Sequence, residues 1–488
     1  MLQTLNTFRT DTLGPQASAL AAALMSVLRE RPEAVAAALL AANLVLILVL
    51  YGGFGRIVFC CDANHYLETG KAMSGLGLFE ERLYLGYRSY LPYTLIEVVT
   101  GVGEVFGFES ARAYAVGAAL LYGVTGGILI ATQGAKPGFL PVFAGLLANP
   151  FVAAVVPSVL QESLVVLFAS PLLLLCVLSG TAARAAATAG LVGALLYMIK
   201  SSLMVSAALA LVFVVVLAAL QRDWRRGGRV LLFALLPAAV LIAPQVVSSL
   251  HHFGTPVPYP STVVLDLHLS QSASMWRYDT VFYESTGGFA GLRYPTPFPP
   301  EAGAEIYGDV AGNLGRATLL GAAHILAGFN YQNLLVYVSY ETAYVPEYFS
   351  PTNFVVGLIL FAGVTFMVAR WFRKDTRWSG VLPDLVAVGS LAPLVIASVE
   401  TRFTLLALSV FLYYALLQLG ELLGPAARDS RVAAGEGTVM EGVVMEGGVA
   451  VGRHAHTGLQ TLRFCVGALG FAFLFTTFSG VVAVTPLY

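Results

Sequence analysis

The chain has 488 residues, of which 57% are hydrophobic and only 11% charged, with a formal net charge of −1. Soluble domains carry about a quarter charged residues, so this composition excludes an ordinary soluble enzyme, and the balanced charge offers nothing to nucleic acid. Apolar runs near the ~20 residues that cross a bilayer point instead to an all-α polytopic membrane protein.

The opening segment, 1–32, lacks the basic start followed directly by an apolar core that marks a cleaved signal peptide. It is expected to lie in the cytoplasm, with a first span over 32–54. Basic short loops set the orientation. Arg29 and Arg31, "QRDWRRGGR" at 221–229, "ARWFRKDTRW" at 369–378 and "GPAARDSR" at 424–431 are all placed inside. The first span therefore runs outward and delivers Asp62, in "FCCDANHYLETGKAM", to the external face. Cys60 and Cys61 are adjacent and would bridge each other only with strain, and four cysteines make no disulfide framework in so long a chain.

Between Asp62 outside and Arg222 inside lie six apolar stretches, roughly 90–108, 113–132, 138–157, 159–178, 185–199 and 201–220. An odd number of them must cross. The weakest, "YLPYTLIEVVTGVGEVFGF", carries Pro92, Glu97 and Glu104 and is read as a helix lying on or dipping into the external interface. The other five cross, which places Lys136 and Arg184 inside, as the charge rule requires. A span at 230–249 follows, then a long external segment. Spans at 353–371, 380–399, 403–422 and 462–484 bring the total to about eleven transmembrane helices. The organisation is thus a membrane core over 33–249 with its first external loop at 55–112, an external cap over 250–351, and C-terminal helices over 352–488. The segment 424–461, Gly/Val/Glu-rich with a doubled "VMEG", is expected to be a flexible cytoplasmic linker.

Sorted by side, the ionisable residues at span ends fall together on the outside. Asp62 follows the first span, Glu162 sits in "VVPSVLQESLVV", and Lys200 in "LLYMIKSSLMV". His251 and His252 open the long loop, and Glu400 and Arg402 lie in "VIASVETRFTLLAL". Taken singly each is an ordinary snorkelling loop charge. Charge at a span end is costly unless paired or wet, however, and five external turns carrying one predict a single shared cavity. Such a cavity suits a substrate with an anionic head and an apolar tail. Arg402 and Lys200 would clamp a phosphate, and a nearby carboxylate would act as a general base on a hydroxyl. His65, His251, His252, His268 and His324 are scattered, without HxxH or HExxH spacing, so neither a metal nor another cofactor is called for.

Four stretches together resemble the GT-C superfamily of integral-membrane glycosyltransferases, which use polyprenyl-phosphate-linked sugars. "CDANHYLETGKAM" is similar to that family's first external loop, and "YRSYLPYTLIEVVTGVGEVFGFESARAYAV" to the interface helix after it. "NPFVAAVVPSVLQESLVVLF" resembles the second acidic turn, and "ASVETRFTLLALSVF" the late E-x-R-aromatic turn. "HHFGTPVPYPST" looks like the loop after the seventh span. The resemblance implies that Asp62 is the catalytic base, that Arg402 holds the leaving phosphate with help from Lys200, and that Glu162 orients acceptor or sugar. Tyr66, one helical turn after Asp62, would stack on a sugar ring, and His252 and Glu400 would join the substrate-binding set. Ala63 stands where several relatives carry a second acid, which argues for a metal-free phospho-monosaccharide donor. The implied partners are a polyprenyl-phosphate-linked sugar, a glycan, lipid or protein acceptor, and membrane lipids. The expected location is the plasma (inner) membrane, with the site facing the periplasm or exterior. A flippase or transporter of lipid-linked sugars is the alternative. It would place charges nearer the midplane, on broken helices within inverted repeats, and no such repeat is found.

Overall fold

In the computed structural model, the described residues are 30–55, 63–76, 89–221, 223–259, 312–331, 350–372, 380–395, 404–433 and 464–477, and among them every regular element is helical. Helix α1, Pro32–Leu50, starts on proline, whose missing N–H costs nothing at a helix N-terminus. It buries one stripe, Ala36, Leu40, Asn43 and Ile47, and leaves Val45, Leu48 and Val49 exposed on the other side. That is the pattern of a helix at the rim of a bundle, with lipid for its second neighbour.

Helices α2 (Ala63–Leu76) and α3 (Leu91–Glu104) follow, and α3 folds back along α4 (Ser110–Gln133). The two backbones touch. A Cβ on Gly103 would lie 1.9 Å from the Ala113 carbonyl oxygen, and one on Gly117 1.9 Å from that of Val99. The residues flanking α3 are tied to the neighbourhood of Glu162 and Lys200. Before it, the Ser89 hydroxyl donates to the Met198 carbonyl, and the Tyr90 N–H donates to Gln245 Oε1 at 3.0 Å. After it, α4 begins, and the Tyr114 hydroxyl reaches Ser163 Oγ at 3.0 Å. Met198 and Ser163 neighbour Lys200 and Glu162 in sequence. Partial burial, with Glu104 nearby, raises the Glu97 carboxyl above its ordinary value, opposed by Lys71.

The stretches 138–157 and 159–178, expected as two plain spans, are instead a hairpin of broken helices. α5 (Phe139–Leu146) stops, and α6 (Pro150–Val155) restarts. α7 (Gln161–Leu164) then runs through a π-turn, Val165–Ala169, into α8 (Ser170–Val177). Pro150 has no N–H to continue the ladder. Asn149 bridges the gap, accepting from the Val152 N–H at 3.0 Å and donating to the Gly145 carbonyl at 2.7 Å. In a bilayer each freed backbone group needs a protein partner, and tyrosines from α1 and α4 supply it. Tyr122 donates to the Leu147 carbonyl at 3.0 Å and Tyr51 to that of Ala154 at 2.7 Å.

Next come α9 (Ala182–Ile199), a 3₁₀ turn at Ser201–Leu203, α10 (Met204–Ala219) and α11 (Trp224–Phe253). Thr181 and Asp223 cap α9 and α11 with their side-chain oxygens. α12 (Leu314–Gly328) is a helix inside the segment read as an external cap. It packs on the 3₁₀ turn Ala392–Val395, where buried His324 meets the Leu394 carbonyl at 3.1 Å. α13 (Pro351–Phe372), α14 (Val381–Leu391), α15 (Leu405–Ala433) and α16 (Phe464–Thr477) complete the set. α15 runs to Ala433, well into the stretch read as a flexible linker.

Among the described residues, six helices are long and apolar enough to cross a membrane: α1, α4, α9, α10 with its preceding turn, α11 and α13. The two arms of the broken hairpin, most of α12 (Leu314–Leu326), α14 with its turn, the Leu405–Gly420 part of α15, and α16 are shorter apolar stretches of 10–17 residues each. The protein is therefore an all-α, membrane-embedded bundle. Its links sort to two ends. Glu33 lies against Gly134, Lys136 Nζ donates to the Leu178 carbonyl at 3.4 Å, and Arg370 donates to the Gly380 carbonyl at 2.7 Å. These basic links lie at the ends of helices opposite to Tyr51, Glu162, Lys200 and Leu405.

Candidate functional site

Glu162 stands in the first turn of α7, and Lys200 is the extended residue that ends α9. Lys200 Nζ donates to Glu162 Oε1 in an ion pair whose side chains are only 11% and 8% exposed. The pair closes the gap between two turns that sequence separates. Either charge alone would be expensive in this apolar setting, and together they are tolerated.

The pair lies on the wall of a narrow cavity of about 30 Å³, which is room for one or two waters or phosphate oxygens rather than for a sugar ring. Four hydroxyl residues, Ser170, Ser202, Ser390 and Ser409, share the wall with the pair, and Val165, Leu203, Pro393, Leu405 and Leu406 make it apolar elsewhere. The π-turn contributes directly. Val165 lies in it and Ser170 just after it, in keeping with the habit of such turns to occur at functional sites.

Of the residues expected at the site, Glu162 and Lys200 are brought together. Asp62, Glu400 and Arg402 lie outside the described residues. Their chain neighbours are informative: Pro393 and Leu405, which flank Glu400–Arg402 in sequence, both line the cavity. Ala63, next to Asp62, is buried at the start of α2. Tyr66 is not on the cavity wall. It is buried in an aromatic cluster, 5.9 Å from the Tyr93 ring and 6.2 Å from that of His65, and His65 Nε2 meets the Tyr93 hydroxyl at 3.1 Å. His252 is likewise absent from the wall. It ends α11 with its ring 4.9 Å from His251 and 6.4 Å from Phe253. That end of α11 is tied down by the residues after it. Gln245 Nε2 donates to the Pro258 carbonyl at 2.9 Å, and the Tyr259 hydroxyl donates to that of Tyr197 at 2.6 Å. Burial raises the Tyr259 phenol above its ordinary value.

The four cavity serines carried no signal in the sequence, since a serine inside an apolar helix reads as an ordinary core residue. Asp384 did carry one: it is an acid inside the predicted span 380–399. It sits at the basic end of α14, in an ion pair with Arg370, and accepts from Trp371 Nε1 at 2.9 Å and from the Tyr414 hydroxyl. Among the described residues, no three His, Cys, Asp or Glu side chains gather as a metal site.

Compared with known proteins, the chain matches no family model, no curated protein and no solved structure. What the site can do follows from its own groups. A buried ammonium, a carboxylate and several hydroxyls facing a narrow, partly apolar space can hold an anionic oxygen and orient a hydroxyl beside it.

Proposed function

We propose that the chain is an inverting glycosyltransferase of the GT-C kind, moving a monosaccharide from a polyprenyl-phosphate donor to a hydroxyl on a glycan, lipid or protein. The observation that carries this reading is the buried Glu162–Lys200 pair on a cavity wall that also holds Pro393 and Leu405, the residues flanking Glu400–Arg402 in sequence. Lys200 and Arg402 hold the donor phosphate, Glu162 orients the incoming group, and the polyprenyl tail lies among the helices. Asp62 takes the proton of the acceptor hydroxyl. The hydroxyl oxygen bonds to the anomeric carbon, the bond from that carbon to the phosphate oxygen breaks, and polyprenyl phosphate leaves with the electron pair. Five shorter apolar segments join the six long helices to give about eleven crossings, in the plasma membrane, with the site outward.

A second reading, transport of a lipid-linked sugar, is favoured by one observation. The helix break at Asn149–Pro150 lies within an apolar hairpin, as in transporters. One experiment separates the two. The full chain in nanodiscs is given a panel of polyprenyl-phospho-sugars, with donor binding followed by native mass spectrometry and release of polyprenyl phosphate in a single turnover. Sugar transfer coupled to that release supports the enzyme. Binding with no cleavage of any donor, together with flux of intact donor across liposomes, supports the transporter.

A further inference from the structure

We infer that the basic end of α11 is a binding site for one anionic phospholipid of the adjacent leaflet, with headgroup and acyl chains both seated on a single face of the helix. Arg225, Arg226 and Arg229 are exposed on its first two turns. Among the described residues none of the three guanidiniums has an ion-pair or hydrogen-bond partner; the one contact is that of Arg225 over the Trp224 ring, at 5.5 Å. Trp224 is itself 80% exposed, an aromatic at the level where such rings settle between water and lipid. Asp223, beside them in sequence, already accepts the Arg225 backbone N–H at 2.9 Å as the helix cap.

The same face continues into the membrane as hydrocarbon. At 3.6 residues per turn, Arg225 and Arg229 are followed on one stripe by Leu232, Phe233, Leu236 and Val240. These four are 60%, 52%, 59% and 68% exposed, whereas Gly227, Val230 and Ala234 on the opposite face are buried. α11 is the least buried of the six long apolar helices, with 17% of an 18-residue apolar stretch buried. From Arg229 to Val240 the rise is about 16 Å, half of a ~30 Å hydrocarbon core and so one leaflet deep. Three unpaired cations above one leaflet of exposed apolar side chain match a diacyl lipid whose headgroup carries a net negative charge, and the positive end of the helix dipole adds to the attraction. This inference does not depend on the Glu162 cavity.

The test uses the detergent-solubilised full chain in native mass spectrometry with dioleoyl-phosphatidylglycerol, dioleoyl-phosphatidylcholine and glycerol 3-phosphate. Phosphatidylglycerol should be retained over phosphatidylcholine by roughly five-fold for each arginine engaged. The preference should fade as salt is raised, and glycerol 3-phosphate should bind far more weakly for want of chains. R225Q/R226Q/R229Q should lose the preference, and F233A/L236A should weaken both lipids alike. Equal retention of the two lipids, a preference unmoved by salt, or glycerol 3-phosphate binding as well as the lipid would each overturn the site. If the triple variant does not fold, Arg229→Gln alone and the wild-type salt titration decide the matter in the same terms.

Discussion

Glu162 and Lys200, 38 residues apart in the chain, meet as a buried ion pair that joins the α6–α7 turn to the α9–α10 turn. Neither side chain can reach water without leaving the other uncompensated. Removing one partner of such a pair typically costs about 3–5 kcal/mol, while replacing both by apolar groups is often neutral. Glu162→Gln and Lys200→Met should each lower the melting temperature of the full chain in nanodiscs, and the double variant should recover most of the loss. Additive losses would mean that the two charges stand independently. Lys200→Met should also weaken donor binding if Lys200 holds phosphate.

Asp62 and Arg402 should fail differently. Asp62→Asn keeps the shape but cannot accept a proton, so transfer should fall ~10²–10⁴-fold with donor binding nearly intact. Arg402→Ala removes a partner of a phosphate present in ground and transition states alike, so binding should weaken too, by roughly 1.5–3 kcal/mol. Donor affinity and single-turnover transfer, measured for both variants, check the split. Normal transfer by Asp62→Asn would remove Asp62 from the mechanism.

At the other end of the bundle, Asp384 ties three helices together through Arg370, Trp371 and Tyr414. Asp384→Asn should destabilise by up to about 3–5 kcal/mol, because the half-buried Arg370 charge loses the carboxylate that compensates it. Tyr414→Phe should cost less, about 1.5–3 kcal/mol for one charge-assisted bond. A double-mutant cycle of the two should show coupling, since they act on one carboxylate. Unfolding of both variants by denaturant is the measurement.

Two glycine substitutions should differ sharply. A Cβ on Gly145 would fall 2.4 Å from the Tyr413 Cα, backbone against helix, whereas one on Gly127 meets nothing within 4 Å. Gly145→Ala should destabilise by at least the ~1–3 kcal/mol of an overpacked core. Gly127→Ala should be neutral or stabilising by about 0.5–1 kcal/mol. Thermal melts of the two variants side by side give the answer.

If α3 lies in the external interface rather than spanning, a labelling pattern follows. Single cysteines at Arg88 and Glu109, in a chain otherwise free of cysteine, should both react with an impermeant thiol reagent from the same side. Reaction from opposite sides would make α3 a span and break the parity of the helices that follow.

The helical class, the position of every long apolar helix and the basic end of the bundle were legible in the sequence. They depend on local quantities: twenty apolar residues in a row, and arginines clustered in short links. Glu162 and Lys200 were legible as rare charges at span ends, yet that they bind each other was not, because it depends on which turns the packed helices bring together. The break at Asn149–Pro150 announced itself as a proline but read as part of a span. Only the tertiary structure supplies Tyr51 and Tyr122, whose hydroxyls satisfy the carbonyls that the break exposes. Tyr66 shows the same division. Its place one turn into α2 follows from sequence, but its burial against Tyr93 depends on α3 folding back over α2, a contact that no local pattern encodes. The cavity serines were silent, since a hydroxyl on an apolar helix takes its meaning from the neighbours that surround it in space.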